Sequence, residues 1–257
     1  MKICRLKYQE REFSGVFKDG RIYTFAQSFD FALPVSVQVS DESFAPEEVE
    51  FLPPVTPSKI VCVGRNYAEH AAELGNEVPK EPLLFLKAPS ALITHGEAIL
   101  LPPQSAQVEH EGELAVVIGR KCKNLSENEN PFEYVFGYTC LNDVTARDIQ
   151  RKDVQFTRAK SFDTFCPVGA FIETELDVSD LRVTTRVNGV VKQDGRTSQM
   201  VFPIDFLIRY ISNHLTLMPG DLIATGTPSG VSKLSEGDIC EIEIEGIGVL
   251  RNPVKTI

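Results

Sequence analysis

The stretch VEHEGELAVVIG, residues 108–119, decides the fold of this chain. Successive side chains of a β-strand point to opposite faces, so Glu109, Glu111 and Glu113 would share one face. The run that follows, residues 114–118, is apolar without alternation, which is typical of a strand buried on both faces. Like charges that enter such a core lose solvation and repel each other unless they are paired or bind a cation. The alternative is that all three carboxylates are solvent-facing charges at a strand end.

Length and composition predict a globular protein with one large domain, or one domain with a small appendage. The chain has 257 residues, of which 42% are hydrophobic and 24% charged, and its formal net charge is −10. That charge argues against nucleic-acid binding and against an anionic membrane surface, although a local site can still bind a small anion. We find no apolar run long enough for a signal peptide or a membrane span, and no CxxC pair among the six cysteines. These features favour a cytoplasmic protein with reduced thiols.

The chain divides into two predicted units. Residues 1–55 contain short alternating segments with a Lys-Asp-Gly hairpin signal at 18–20, and a proline-rich connector follows at 51–57. We therefore expect a small N-terminal domain of β or α+β type over residues 1–55 and a second domain over residues 56–257.

The second unit is predicted to be mainly β with few helices. Apolar runs typical of strands occupy residues 59–63, 83–86, 114–118, 134–141, 183–187, 222–225 and 240–244. Turn signals fall at residues 188–189, 194–195, 219–221 and 236–238. Helical spacing is limited to residues 67–74, 144–153 and 203–217. Many strands with few, irregularly placed helices do not favour a regular βαβ series.

Glu111 and Glu113 are candidate ligands for a hard divalent cation. Two residues apart on one strand face, their Cα atoms would lie about 7 Å apart, so both side chains could converge on one ion. Mg²⁺ is usually held by a few carboxylates together with water or substrate oxygens. Asp143, in LNDVTARD, follows an apolar strand-like run and precedes a helical stretch, and could supply a third ligand.

Three further features could take part in catalysis. His70 and Glu73 would share a helix face at i, i+3, where a carboxylate can orient a histidine as a base that activates water; an exposed pair is the alternative. Lys160, in RAKSFD, could stabilise an enolate or oxyanion, or could be a solvated lysine. The stretch ATGTPSGV, residues 224–231, lacks the P-loop pattern. Its amides and Thr227 could bind an anion, or the stretch could be a plain turn.

Taken together, in order and spacing, these segments resemble the fumarylacetoacetate hydrolase family over about residues 58–257. The segments that carry the resemblance are VCVGRNYAEHAAELG, EPLLFLKAPSAL, VEHEGELAVVIG, GYTCLNDVTARDIQ, RAKSFDTFCPVG and LMPGDLIATGTPSGV. The resemblance implies a mixed β-roll of layered sheets, a homodimer, and a Mg²⁺ or Mn²⁺ ion held by three carboxylates, with Ca²⁺ as a substitute. The N-terminal residues 1–55 would be the small accessory domain that many members carry.

The resemblance also implies roles for individual residues. The family's H-E-x-E-L motif falls at residues 110–114, which makes Glu111 and Glu113 metal ligands together with Asp143; Glu109 lies outside the motif and is expected to be solvated. His70 and Glu73 match the H-x-x-E pair of the acylpyruvase branch. Lys160 matches the active-site lysine of the family. The positions around the substrate's carboxylate and 2-oxo group are matched by Arg147, Gln150 and Thr227.

The resemblance favours hydrolysis of a C–C bond in a 2,4-dioxo acid such as an acylpyruvate or fumarylpyruvate. A metal would chelate the 2-oxo acid, His70 oriented by Glu73 would activate water, and Lys160 would stabilise the pyruvate enolate. The alternatives are an isomerase or decarboxylase of 2-oxo-hept-3-ene-1,7-dioate-type substrates, and an oxaloacetate decarboxylase. A catalytically idle metal-binding relative is a further alternative. In each enzymatic case the expected partner is a small anionic 2-oxo acid.

Overall fold

The apolar strand of residues 114–118 lies inside the largest sheet of the protein. The structure, a computed structural model, describes residues 1–26, 29, 31 and 37–257. The strands of these residues are, in chain order, β1 Lys2–Tyr8, β2 Arg11–Lys18, β3 Arg21–Phe25, β4 Val39–Phe44, β5 Glu50–Leu52, β6 Ile60–Gly64, β7 Leu83–Lys87, β8 Leu92–Ile93, β9 Ile99–Leu101, β10 Val108–Glu109, β11 Gly112–Ile118, β12 Val135–Asn142, β13 Thr145–Ala146, β14 Cys166–Pro167, β15 Phe171–Glu173, β16 Arg182–Val187, β17 Val190–Arg196, β18 Leu222–Ala224, β19 Ile239–Ile244 and β20 Gly248–Thr256. The α-helices are α1 Ala68–Glu73, α2 Arg147–Lys152, α3 Thr157–Lys160 and α4 Ile204–His214.

Two sheets form the layers of the fold. The large sheet has the strand order β4-β3-β2-β1-β15-β12-β11-β18-β6-β7, with β5 paired to β1, and the second has the order β17-β16-β19-β20-β9. The large sheet is mixed, because β18 pairs with β6 in parallel while β11 pairs antiparallel with β12 and β18. The predicted mainly β architecture of layered sheets with few helices is therefore confirmed. All seven apolar runs predicted as strands form strands: β6, β7, β11, β12, β16, β18 and β19.

Both faces of β11 are covered, which explains its unbroken apolar run. Leu114, Val116 and Ile118 pack into a core with the apolar face of α4 and the second sheet. Ala115 and Val117 enter a separate core on the opposite face. Burial of a large aliphatic side chain stabilises a fold by about 2 kcal/mol. The strand that carries Glu113 is therefore held firmly from both sides.

The N-terminal strands continue the large sheet. β1 pairs antiparallel with β15 of the second predicted unit as well as with β2 and β5. The predicted hairpin at residues 18–20 is confirmed, because Lys18 pairs with Arg21 across the β2–β3 turn. Residues 27, 28, 30 and 32–36 of this unit lie outside the described residues. The division at residue 55 stays a prediction.

The predicted helices are present as α1, α2 and α4, with shorter bounds. The second begins later than predicted because residues 145 and 146 pair with β10. The predicted turn at residues 194–195 is wrong, since both residues lie inside β17. A Cβ atom on Gly195 would lie 2.5 Å from Cβ of Pro228, so the glycine serves close packing and not a turn. None of the described helices has the length and apolarity needed to cross a membrane.

Candidate active site

One cavity of about 330 Å³ brings together all nine residues that the sequence singled out. Its walls come from the end of β6 and α1, from the start of β11, from the segment after β12, from α2 and α3, and from the loop after β18. The nine residues are Glu111, Glu113, Asp143, His70, Glu73, Lys160, Arg147, Gln150 and Thr227.

Three buried carboxylates form the floor of the site. One oxygen from each of Glu111, Glu113 and Asp143 lies within 4.8 Å of the others, and the three residues are 4%, 2% and 1% exposed. The β11–β12 register produces this arrangement: Gly112 pairs with Asn142, and the amide of Asp143 donates to the carbonyl of Glu111 at 2.9 Å. The interpretation of these residues as solvent-facing charges is therefore wrong.

Lysine and arginine side chains surround two of the three carboxylates. Lys160 donates to Glu111 Oε2 at 2.7 Å and to Asp143 Oδ2 at 2.6 Å, and Lys87 donates to Asp143 Oδ1 at 2.6 Å. Arg147 binds the second oxygen of Glu111. Burial alone would raise the pKa of Glu111, but the positive charges of Lys160 and Arg147 outweigh burial and lower it.

Glu113 has no cationic partner in the part of the chain that the structure describes. Its Oε2 accepts a hydrogen bond from the amide of Gly226 at 2.8 Å. Burial, together with the negative charges of Asp143 and Glu111, raises the pKa of Glu113 well above its ordinary value. A cation bound here would relieve the repulsion that this carboxylate experiences.

The buried charges around the cluster leave a negative excess. The carboxylates are Glu109, Glu111, Glu113 and Asp143, and the cationic groups are Lys87, Arg147 and Lys160. A buried excess of this kind is offset by a bound cation or by protonation. The donors are carboxylate oxygens alone, a set that suits Mg²⁺ or Mn²⁺ better than a soft metal. The residues present therefore fit a hard divalent ion.

The predicted His70–Glu73 pair forms on α1, inside the cavity wall. His70 Nδ1 lies 3.3 Å from Glu73 Oε2, and His70 is only 5% exposed. Its second ring nitrogen, Nε2, has no protein partner among the described residues. The amide of Gly230 donates to Glu73 at 3.0 Å and so fixes the carboxylate. The histidine of the pair is therefore buried, whereas the Glu73 side chain is 33% exposed to solvent.

Lys160 is buried and charged. It lies at the end of α3, is 2% exposed, and its Nζ lies 5.1 Å from the centre of the Phe85 ring. Burial alone would lower its pKa, but the charges of Asp143 and Glu111 outweigh burial and raise the pKa. The lysine therefore keeps its proton at neutral pH, and the interpretation of a solvated lysine is wrong.

The expectation that Glu109 is solvated is wrong, because the residue is buried. It is 7% exposed and accepts hydrogen bonds from Arg147 Nε at 2.8 Å and from Gln107 Nε2 at 2.6 Å. Arg147 also donates through Nη1 to Gln150 Oε1 at 2.6 Å. The sequence could not show this, because the partner of Glu109 comes from α2, 38 residues further along the chain.

The loop after β18 holds protein carboxylates through its amides. Gly226 donates to Glu113 and Gly230 donates to Glu73, so one short loop positions both the cluster and the histidine pair. The hydroxyl of Thr227 donates to the carbonyl of Gly112 at 2.8 Å. The loop therefore positions two carboxylates of the cavity, whereas the alternative was a plain turn without such contacts.

A polar network behind the cavity was missed by the sequence analysis. Gln193 donates to Thr227 Oγ1 at 2.7 Å, and its Oε1 accepts from the amide of Gly112 at 2.9 Å. His110 Nδ1 lies 3.2 Å from the same Gln193 oxygen. Burial lowers the pKa of His110 to about 4, so this histidine is neutral at physiological pH. The network ties the first residues of β11 to β17 and to the loop after β18.

Replacement of Gly230 by alanine tests the role of this loop in stability. Gly230 has a φ of +102°, and a Cβ atom there would lie 2.0 Å from the carbonyl oxygen of Lys192. We expect Gly230→Ala to lower the free energy of unfolding by about 3 kcal/mol or more, since backbone strain and a backbone clash add. Gly189→Ala is the matched control: its φ is +77° with nothing within 4 Å of the new Cβ, so strain alone, about 1–2 kcal/mol, should appear. Urea unfolding of both variants measures the difference, and equal losses would contradict the clash.

Comparison with known proteins identifies the family of this chain. The model of the family described as "Fumarylacetoacetate (FAA) hydrolase C-terminal" matches residues 59–255. The chain belongs to the fumarylacetoacetate hydrolase family. A second family model, "Rv2993c-like, N-terminal", matches residues 1–54.

Several relatives within this family are named as enzymes. The chain is 46% identical over 220 residues to human oxaloacetate tautomerase FAHD2A, mitochondrial, a match that covers 80% of this chain and 70% of the human protein. The structure of 5-carboxymethyl-2-hydroxymuconate delta-isomerase from Mycobacterium smegmatis is similar with a TM-score of 0.90, 40% identity and full coverage of both chains. That of fumarylacetoacetate hydrolase from Exiguobacterium antarcticum has a TM-score of 0.90, 38% identity and full coverage of both chains. The human relative is named as mitochondrial, and the cytoplasmic location of this chain stays a prediction.

Proposed function

We propose that this protein catalyses the keto–enol tautomerisation of a small 2-oxo dicarboxylate, with oxaloacetate as the first candidate. The observation that carries the proposal is the placement of three groups in one cavity: the carboxylate cluster, the charged Lys160, and His70, whose Nε2 has no partner among the described residues. Together these groups can bind a 2-oxo acid, stabilise an enolate and transfer a proton.

The chain's own residues would divide the work as follows. Glu111, Glu113 and Asp143 would hold Mg²⁺ or Mn²⁺, which when bound polarises the oxygens of a 2-oxo acid and acidifies the adjacent carbon. His70 would transfer the proton to or from that carbon through Nε2, because its Nδ1–H is donated to Glu73. The ammonium group of Lys160 would stabilise the negative charge that develops on the 2-oxygen.

The relatives support isomerisation more than the C–C hydrolysis that the sequence favoured. The human relative is named a tautomerase and the M. smegmatis protein an isomerase. Both names describe reactions that rearrange bonds within one molecule and need no water. An isomerase of a 2-oxo-heptenedioate type is accordingly the nearest variant of the proposal.

Hydrolysis of an acylpyruvate is the second candidate, and the His70–Glu73 pair favours it. A buried histidine with a carboxylate 3.3 Å from its Nδ1 could equally remove a proton from water. The similar structure from E. antarcticum is named a hydrolase. Both candidates pass through an enolate, so their products distinguish them.

A substrate panel tests the proposal. We expect the protein with Mg²⁺ or Mn²⁺ to accelerate the decay of the oxaloacetate enol without release of CO₂, and chelation of the metal to abolish the acceleration. Pyruvate plus a free acid from acylpyruvate or fumarylpyruvate, at a higher kcat/KM, would contradict the proposal and select hydrolysis. Release of CO₂ from oxaloacetate would select decarboxylation. A double-bond shift in the heptadienedioate alone would select the isomerase variant. Metal binding without turnover of any substrate would select the catalytically idle relative.

A further inference from the structure

The cationic groups that line the cavity fall into two classes. Lys160 and Arg147 are buried and paired with the acids of the cluster. Arg65 and Arg151 also line the cavity, but within the described residues neither has a carboxylate oxygen within 4 Å. Arg151 donates only to the neutral side chain of Gln107, at 3.0 Å. The cavity therefore carries two positive charges that are not paired with a carboxylate of the described residues.

Arg65 is held in a backbone conformation that arginine rarely adopts. It follows Gly64 at the end of β6, has a φ of +58°, and is half-buried at the cavity wall. A left-handed conformation costs a residue with a side chain about 1 kcal/mol or more, and such strain persists where surrounding structure or function requires it. A strained and unpaired arginine at the wall of a binding cavity indicates that a ligand supplies its partner.

Arg151 lies one helical turn beyond Arg147 on α2. Residues four apart share a helix face, and the rise of 1.5 Å per residue separates them by about 6 Å along the axis. Arg147 is 2% exposed beside the cluster, whereas Arg151 is exposed. The helix therefore presents one arginine at the cluster end of the cavity and a second toward solvent.

We propose that Arg65 and Arg151 form a second anion subsite, which binds the distal carboxylate of a dicarboxylate whose 2-oxo acid end lies at the carboxylate cluster. This inference rests on the proposed function and assigns the groups that would bind the second carboxylate of its substrate. Leu83, Phe85 and Phe156 also line the cavity and offer apolar contact for the carbon chain between the two ends. A monocarboxylate with an apolar tail would leave both arginines without a partner.

Two ligands of equal length test the subsite by binding alone. 2-Oxoglutarate and 2-oxopentanoate share the 2-oxo acid end and the chain length and differ only in the distal carboxylate. We expect the Mn²⁺-loaded protein to bind 2-oxoglutarate at least roughly tenfold more tightly, as titration calorimetry would measure. Arg65→Met and Arg151→Met should each lower the affinity for 2-oxoglutarate by about fivefold or more. The affinity for 2-oxopentanoate should change by less than about twofold.

Arg158→Met is the matched control, because Arg158 is exposed, pairs with Asp153, and does not line the cavity. Equal affinity of the wild-type protein for the two ligands, or no binding of either, would overturn the subsite. Equal losses for both ligands in the variants would also overturn it. Because this measurement needs no turnover, discrimination without tautomerase activity would retain the subsite and reject the proposed function. Tautomerase activity without a preference for 2-oxoglutarate over 2-oxopentanoate would retain the proposed function and reject the subsite.

Discussion

Glu113→Gln is expected to abolish divalent metal binding and activity while the metal-free protein stays at least as stable as the wild type. Glu113 is the one carboxylate of the cluster without a cationic partner in the described part of the chain, and Asp143 and Glu111 repel it. Glutamine keeps the shape and can still accept the hydrogen bond of Gly226. The substitution therefore removes repulsion in the metal-free protein and a ligand in the loaded one.

We expect Mn²⁺ affinity to fall by at least about 100-fold, since loss of a group that only orients a ligand already costs about 10–100-fold. Titration calorimetry with Mn²⁺ and urea unfolding in the presence of a chelator measure the two effects separately. Affinity for Mn²⁺ equal to that of the wild type would contradict the assignment of Glu113 as a ligand.

Asp143→Asn is the contrasting variant for this prediction. Its carboxylate lies between Lys87 and Lys160, with both contacts at 2.6 Å. Loss of the negative charge leaves two buried ammonium groups facing a neutral amide, and breaking a buried ion pair in this way costs about 3–5 kcal/mol. We therefore expect Asp143→Asn to lose metal binding and stability together, whereas Glu113→Gln loses metal binding alone.

His70→Ala is expected to lower kcat/KM for the oxaloacetate enol by about 10²- to 10⁴-fold, the range typical of a lost general acid–base group. His70 is not part of the carboxylate cluster, so Mn²⁺ affinity should change by less than about twofold. Stopped-flow decay of the enol and titration calorimetry with Mn²⁺ provide the two measurements.

Two further variants serve as comparisons for His70→Ala. These are Glu73→Gln, which changes its partner, and His214→Ala, which is the control. Glutamine can still contact His70 but lacks the negative charge, so a smaller loss than that of His70→Ala is expected. His214 is exposed at the end of α4 and does not line the cavity, so its replacement should leave activity unchanged. Full activity of His70→Ala, with the fold intact by urea unfolding, would remove His70 from the mechanism.

The periodicity of single segments was enough to predict much of this protein. The unbroken apolar run at residues 114–118 predicted a strand covered on both faces, and β11 packs into a separate core on each side. The spacing of Glu111 and Glu113 predicted that both side chains converge, and their oxygens do so with that of Asp143. These predictions hold because the face of a strand on which a side chain lies depends on the two-residue period of the backbone. That period can be read directly from the sequence.

The partners of those residues were decided only by the tertiary structure. Glu109 is held by Arg147 from α2, Asp143 by Lys87 from β7, and Glu73 by the amide of Gly230, which lies 157 residues away. A pattern shows that a charge is buried but not which distant group meets it, because that depends on strand register and on the crossover of connections. The same reason explains why the turn signal at residues 194–195 was wrong: Gly195 is needed where Pro228 packs against β17. The sequence by itself determined a buried acidic strand end, and the tertiary structure supplied the groups that turn it into a candidate active site.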